Sequence, residues 1–88
     1  EHILDLGTLY EDWESYAEKT EVLAKFSQNE ALKGKLQSTG NAVLAECAVR
    51  DRIWGIGLSM KNPDRFDRTK WNGQNLLGYT LMMVRERL

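Results

Sequence analysis

The chain is poor in the residues that build crosslinks, metal centres and histidine-dependent active sites. Its 88 residues include one cysteine, Cys47, and one histidine, His2. A lone cysteine cannot close an internal disulfide and has no partner for a zinc site, so a metal centre is excluded and no cofactor is expected. The same cysteine usage fits a cytoplasmic protein. One histidine near the start of the chain argues against a histidine-based triad, and Cys47 has no histidine in its motif to activate it as a nucleophile. No apolar run is long enough to cross a bilayer and no secretory leader pattern opens the chain, so no membrane association is expected. Repeats and low-complexity tracts are also missing. The first residue is Glu1 rather than methionine, which leaves room for processing or truncation upstream.

What is present reads as one small globular domain over residues 1–88. Charged residues make up 28 % and hydrophobic ones 42 %, a balance that excludes a disordered chain. Net charge is −1, so there is no strong nucleic-acid signal, but the charge is unevenly placed. Residues 1–48 carry nine acids against four lysines, whereas residues 49–88 carry eight bases against four acids. Either the basic half meets an anionic ligand, or both halves are solvated helix and loop faces.

Helical spacing of Leu9, Trp13, Tyr16, Ala17 and Thr20 after a Thr8/Glu11 capping box predicts a helix over 9–25. A second capping box, Ser27 with Glu30, opens a helix that carries Ala31, Leu32 and Leu36 on one face and stops at Gly40. "NAVLAEC" reads as a strand, and "IWGIGL" as a second short strand or a tight loop. The polar stretch 59–70, with Pro63, reads as an exposed loop. Leu77, Leu81, Val84 and Leu88 mark the buried face of a closing helix capped near Asn72. The expected fold is helix-dominated α+β, three helices with one or two short strands.

Chemistry concentrates in two stretches. In "RDRIWGIG", Asp51 stands between two arginines; it is either a site carboxylate or a turn aspartate that caps nearby N–H groups. Trp54 and Trp71 either present flat faces for stacking a ring or fill the core. In "WNGQNLLG" the N–H groups of Gly73, Gln74 and Asn75 fall at a helix start, where unpaired donors could hold a phosphate. Arg65, Arg68 and Lys70 just before it favour an anion. No Walker loop and no GxGxxG are present.

In order along the chain come "DWES", "KFSQN", "L-x-STG" with an apolar strand ending in glutamate, "D-x-x-WGIG", and "W-x-G-x-N-x-LG" running into "LM-x-VR". Over residues 12–88 this series resembles the C-terminal part of the NADAR, or YbiA-like, family. The resemblance implies an N-glycosidase that hydrolyses the C–N bond of phosphorylated ribosyl compounds, either early riboflavin-pathway intermediates or ADP-ribosylated bases. It implies Asp51 as an active-site aspartate and Trp13 as the tryptophan that holds the substrate's ring. Trp54, Trp71, Gly73 and Asn75 are the expected substrate-binding positions, and no metal is implied.

The departures define the alternative. The family's other carboxylate, a glutamate followed by histidine, lies well upstream of the tryptophan, with N-terminal strands and an "SNF"-type motif that this sequence lacks. Glu1-His2 spells the dipeptide but sits too close to Trp13. The helix between Trp13 and Phe26 is also about a turn short. The alternative is therefore a non-catalytic nucleotide- or ADP-ribose-binding module, or a remnant without the upstream glutamate. A fragment with an incomplete core would be expected to form a homodimer.

Overall fold

The computed structural model describes residues 2–9, 26 and 28–87. The helix expected over 9–25, with Trp13, lies outside the described residues apart from Leu9, as do Ser27 and Leu88. Among the described residues the order is strand β1 (Ile3–Asp5), the single helical turn α1 (Leu6–Leu9), helix α2 (Glu30–Ser38), strand β2 (Val43–Ala45), two 3-10 turns (Pro63–Phe66 and Arg68–Lys70) and helix α3 (Leu76–Arg87). Three helices and two short strands make the small α+β fold expected. None of these helices is long and apolar enough to cross a membrane.

The two strands pair in parallel, with Ile3, Leu4 and Asp5 opposite Val43, Leu44 and Ala45. The Val43 N–H extends the ladder by donating to the His2 carbonyl at 2.8 Å. β1 is the strand that sequence reasoning missed: three residues show too little alternation to stand out, and only pairing with β2 makes them a strand. "IWGIGL" is correspondingly not a strand. It is the tight-loop alternative, bound through the Ile56 N–H to the Glu46 carbonyl at 2.8 Å.

Side-chain alternation along β2 separates the interior into two clusters. Leu44 points into the first, with Leu6, Phe26, Leu32, Leu36, Leu77, Leu81 and Val84. Val43 and Ala45 point into the second, with Ile3, Ile56 and Leu58. β2 is buried on both faces, which is why it is apolar throughout rather than alternating. Leu77, Leu81 and Val84 form the expected buried stripe of α3.

Helix boundaries follow local chemistry. α2 is capped by Asn29, whose Oδ1 accepts from the Ala31 and Leu32 N–H groups at 3.0 and 3.2 Å. Glu30 is therefore the first helical residue. At the other end, Arg85 of α3 donates through Nη1 to Thr39 Oγ1 (2.7 Å) and the Ala42 carbonyl (2.9 Å), tying the α2–β2 turn to α3. The stretch 59–70 is a loop as expected, organised by Asn62 and Asp67 as caps of the two 3-10 turns.

Candidate functional site

Parallel pairing puts the carboxyl ends of β1 and β2 side by side, and the residues with reactive side chains gather after those ends. Asp5 closes β1, Glu46 and Cys47 follow β2, and the chain then turns at Asp51. Asp51 Oδ1 accepts from the N–H groups of Ile53 at 3.1 Å and Trp54 at 2.8 Å. This is the turn-capping geometry an aspartate adopts readily, and it fixes the carboxylate relative to the loop. The turn is held in place from the other side by the first residues of α3 and the two residues before them. The carbonyls of Arg52, Ile53, Trp54 and Gly55 accept from the N–H groups of Gln74 (2.8 Å), Leu76 (3.1 Å), Leu77 (3.1 Å) and Asn75 (3.0 Å), in that order.

That pairing corrects the expected phosphate cradle. The N–H groups of Gln74 and Asn75 are not open donors at a helix start, because the Asp51 loop takes them. Asn72 is not the cap either: its N–H donates to the Ile56 carbonyl at 2.8 Å, and α3 begins at Leu76. Gly73 lies where the two segments cross. A side chain there would collide with the Gly55 carbonyl and stand 3.0 Å from the Arg52 Cα, so the residue serves close backbone packing.

Asn75 is fully buried and has a left-handed φ of 53°. Its Oδ1 accepts from the Glu46 N–H at 2.9 Å and its Nδ2 donates to the Leu44 carbonyl at 2.8 Å. The side chain expected to touch substrate thus spans the end of β2. The two tryptophans are divided between the clusters. Trp54 packs against the first, and Trp71 against the second, with its indole N–H donating to the Arg65 carbonyl at 2.9 Å.

Sequence reasoning missed Asp5, and it read Arg65 only as one of three cations favouring an anion rather than as the partner of Asp5. Asp5 is only 4 % exposed; its Oδ1 accepts from the Thr8 N–H at 2.7 Å and its Oδ2 from Arg65 Nε at 3.3 Å. The Arg65 guanidinium also donates to the Asn62 carbonyl at 3.0 Å and lies 4.1 Å from the Phe66 ring centroid. The signal available was a lone acid at the end of an apolar triplet, "ILD", which means nothing until its partner 60 residues on is known. Beside this pair, burial pushes the Cys47 thiol up to about 12, with the Asp5 and Glu46 carboxylates adding to the effect and Arg65 opposing it. Cys47 stays a neutral thiol, unsuited to nucleophilic attack. Among the described residues no cluster of histidine, cysteine and acids could hold a metal ion.

Residues 9–88 match the NADAR domain. An N-glycosidase of Acanthamoeba polyphaga mimivirus, R617, is 47 % identical over 62 residues, which cover 70 % of this chain and 36 % of that protein. Protein irg-1 of Caenorhabditis elegans is 44 % identical over 66 residues, 75 % of this chain and 31 % of the relative. The N-glycosidase YbiA of Escherichia coli K12 is 36 % identical over 83 residues, 91 % of this chain and 45 % of the relative. The chain spans less than half the length of each of these relatives.

Proposed function

This chain belongs to the NADAR family, and from that premise we propose that it carries the aspartate-bearing part of an N-glycosidase site. The reaction is hydrolysis of the C–N bond joining a phosphorylated ribosyl group to a base, and the substrate is either a riboflavin-pathway intermediate or an ADP-ribosylated base. Cleaving an N-glycoside develops positive charge on the anomeric carbon and ring oxygen. A carboxylate fixed near that carbon lowers the barrier by stabilising the charge or by activating the attacking water. Asp51 fills that role. The observation that carries the reading is its immobilisation: Oδ1 is anchored on the Ile53 and Trp54 N–H groups, and the loop behind it on four backbone hydrogen bonds, two from Gln74 and Asn75 just before α3 and two from Leu76 and Leu77 in its first turn. A preset charge needs no reorganisation when the transition state forms.

Two further features support this reading. The loop lies at the carboxyl end of a parallel strand pair, where ligands of α/β sheets tend to bind. The basic balance of residues 49–88 suits a phosphorylated substrate. Trp13 stacks the substrate's ring in this proposal, while Trp54, Trp71, Gly73 and Asn75 shape the wall behind Asp51.

A second reading is that this stretch supplies a binding wall rather than a complete catalytic site: it covers 45 % of YbiA, and the glutamate that the resemblance implies upstream of the tryptophan is not among its motifs. On that reading the chain binds ribose phosphates without turnover. One assay separates the two, offering a phosphorylated ribosylamino-pyrimidine and an ADP-ribosylated base to the wild-type chain and to Asp51→Asn. Base release lost in the variant supports catalysis. Binding without release, equal in both chains, supports the half-site.

A further inference from the structure

We propose that Asn75 is a positioning residue: its buried carboxamide ties the carboxyl end of β2 to the start of α3 and so sets where Asp51 stands. The inference rests on the reading of Asp51 as the active-site acid. The side chain meets two backbone groups of opposite kind, the Leu44 carbonyl and the Glu46 N–H, 31 and 29 residues away in sequence. Only a group that offers a donor and an acceptor together satisfies both, and a carboxamide does so without charge. The backbone of the same residue is used twice more. Its N–H donates to the Gly55 carbonyl at 3.0 Å, and its carbonyl accepts from the Tyr79 N–H at 3.1 Å.

One residue therefore joins β2, the Asp51 loop and α3. Packing leaves it no slack: a Cβ on Gly78 would stand 2.5 Å from Nδ2 and 2.6 Å from Oδ1. The left-handed φ of 53° is the remaining sign of a specified role, since asparagine is among the few side-chain-bearing residues that tolerate it. Such conformations persist where the surrounding structure over-determines them, and they collect at functional sites. Loss of the carboxamide leaves the end of β2 held to the loop through the Ile56 N–H and the Glu46 carbonyl, and the aspartate shifts as that hold loosens.

Asn75→Asp tests this, because it keeps the shape but sets an oxygen against the Leu44 carbonyl. Asn75→Gly is the second variant, relieving the left-handed backbone while removing the bracket. In each, amide hydrogen exchange is read at Ile53 and Trp54, whose N–H groups Asp51 holds, and normalised to exchange at Leu36 in α2. The expected result is a rise of about tenfold or more at Ile53 and Trp54 relative to Leu36, as follows from leaving a buried polar group unsatisfied. If the chain turns substrate over, kcat falls about 100-fold, the cost of a misplacement near 1 Å, while KM stays within about threefold. Exchange rising equally at all three amides, or kcat unchanged in Asn75→Gly, overturns the proposal. A selective rise in a chain that shows no turnover even as wild type sinks the N-glycosidase reading and leaves the positioning role standing.

Discussion

Two glycine-to-alanine substitutions in helices should move stability in opposite directions. Gly34 in α2 and Gly78 in α3 are both helical, and helix propensity alone predicts that alanine stabilises each by about 1 kcal/mol. At Gly34 nothing lies within 4 Å of the new methyl group, so the propensity gain should appear undiminished. At Gly78 the methyl group would collide with the Leu44 carbonyl and press on the Asn75 carboxamide. Backbone cannot rotate aside, so α3 must withdraw from β2. Overpacking of that kind costs about 1–3 kcal/mol. The withdrawal also strains the Asn75 bracket, and a buried group left unpaired adds about 1–3 kcal/mol. Set against the propensity gain of about 1 kcal/mol, the net loss is about 1–5 kcal/mol. That is a large share of the ~4–13 kcal/mol expected for a chain of this size. Urea unfolding followed by tryptophan fluorescence measures both variants, and the Tm of Gly78→Ala should fall by about 4–8 °C for each kcal/mol lost. If Gly78→Ala raises the urea midpoint as Gly34→Ala does, the close seating of α3 on β2 is wrong, and with it the placement of Asn75.

Other outcomes follow from single contacts. Arg65→Ala strands the Asp5 carboxylate, which is 3 % exposed at its side chain, and should cost about 3 kcal/mol in chemical denaturation; Arg65→Lys should recover only part, because the Nε contact is lost. Asp51→Asn keeps an acceptor for the Ile53 and Trp54 N–H groups, so stability should change by less than about 0.5 kcal/mol while base release falls by roughly 100-fold or more. For Cys47 the folded value lies above the unfolded 9.0, so the stability linked to the partly buried thiol is present below pH 9 and lost as pH rises toward about 12. Iodoacetamide should accordingly label the native chain at least about tenfold more slowly than the urea-unfolded chain at pH 8, and equal rates would mean that the fold does not hold the thiol neutral.

Local periodicity and composition were legible along the chain without its fold. The stripe of Leu77, Leu81 and Val84, the α2 face of Leu32 and Leu36, the β2 run and the polar loop before Trp71 all repeat at spacings set by helix or strand geometry, and each is visible without a partner. The ordered motifs from "DWES" to "LM-x-VR" placed the chain in its family on the same terms. Only the tertiary structure decided what depends on residues far apart in sequence. β1 exists because Val43, Leu44 and Ala45 lie beside it. The Asp5–Arg65 pair closes across 60 residues. The N–H groups of Gln74 and Asn75 looked open in the sequence, where an unpaired donor and one taken by a distant carbonyl read alike. Asn75 has the same ambiguity at greater depth: as a letter it is a ligand-binding amide, and in the fold it is the bracket between Leu44 and Glu46. A hydrogen bond is a relation between two groups, and when the second lies 30 or so residues away, only the folded chain brings them together.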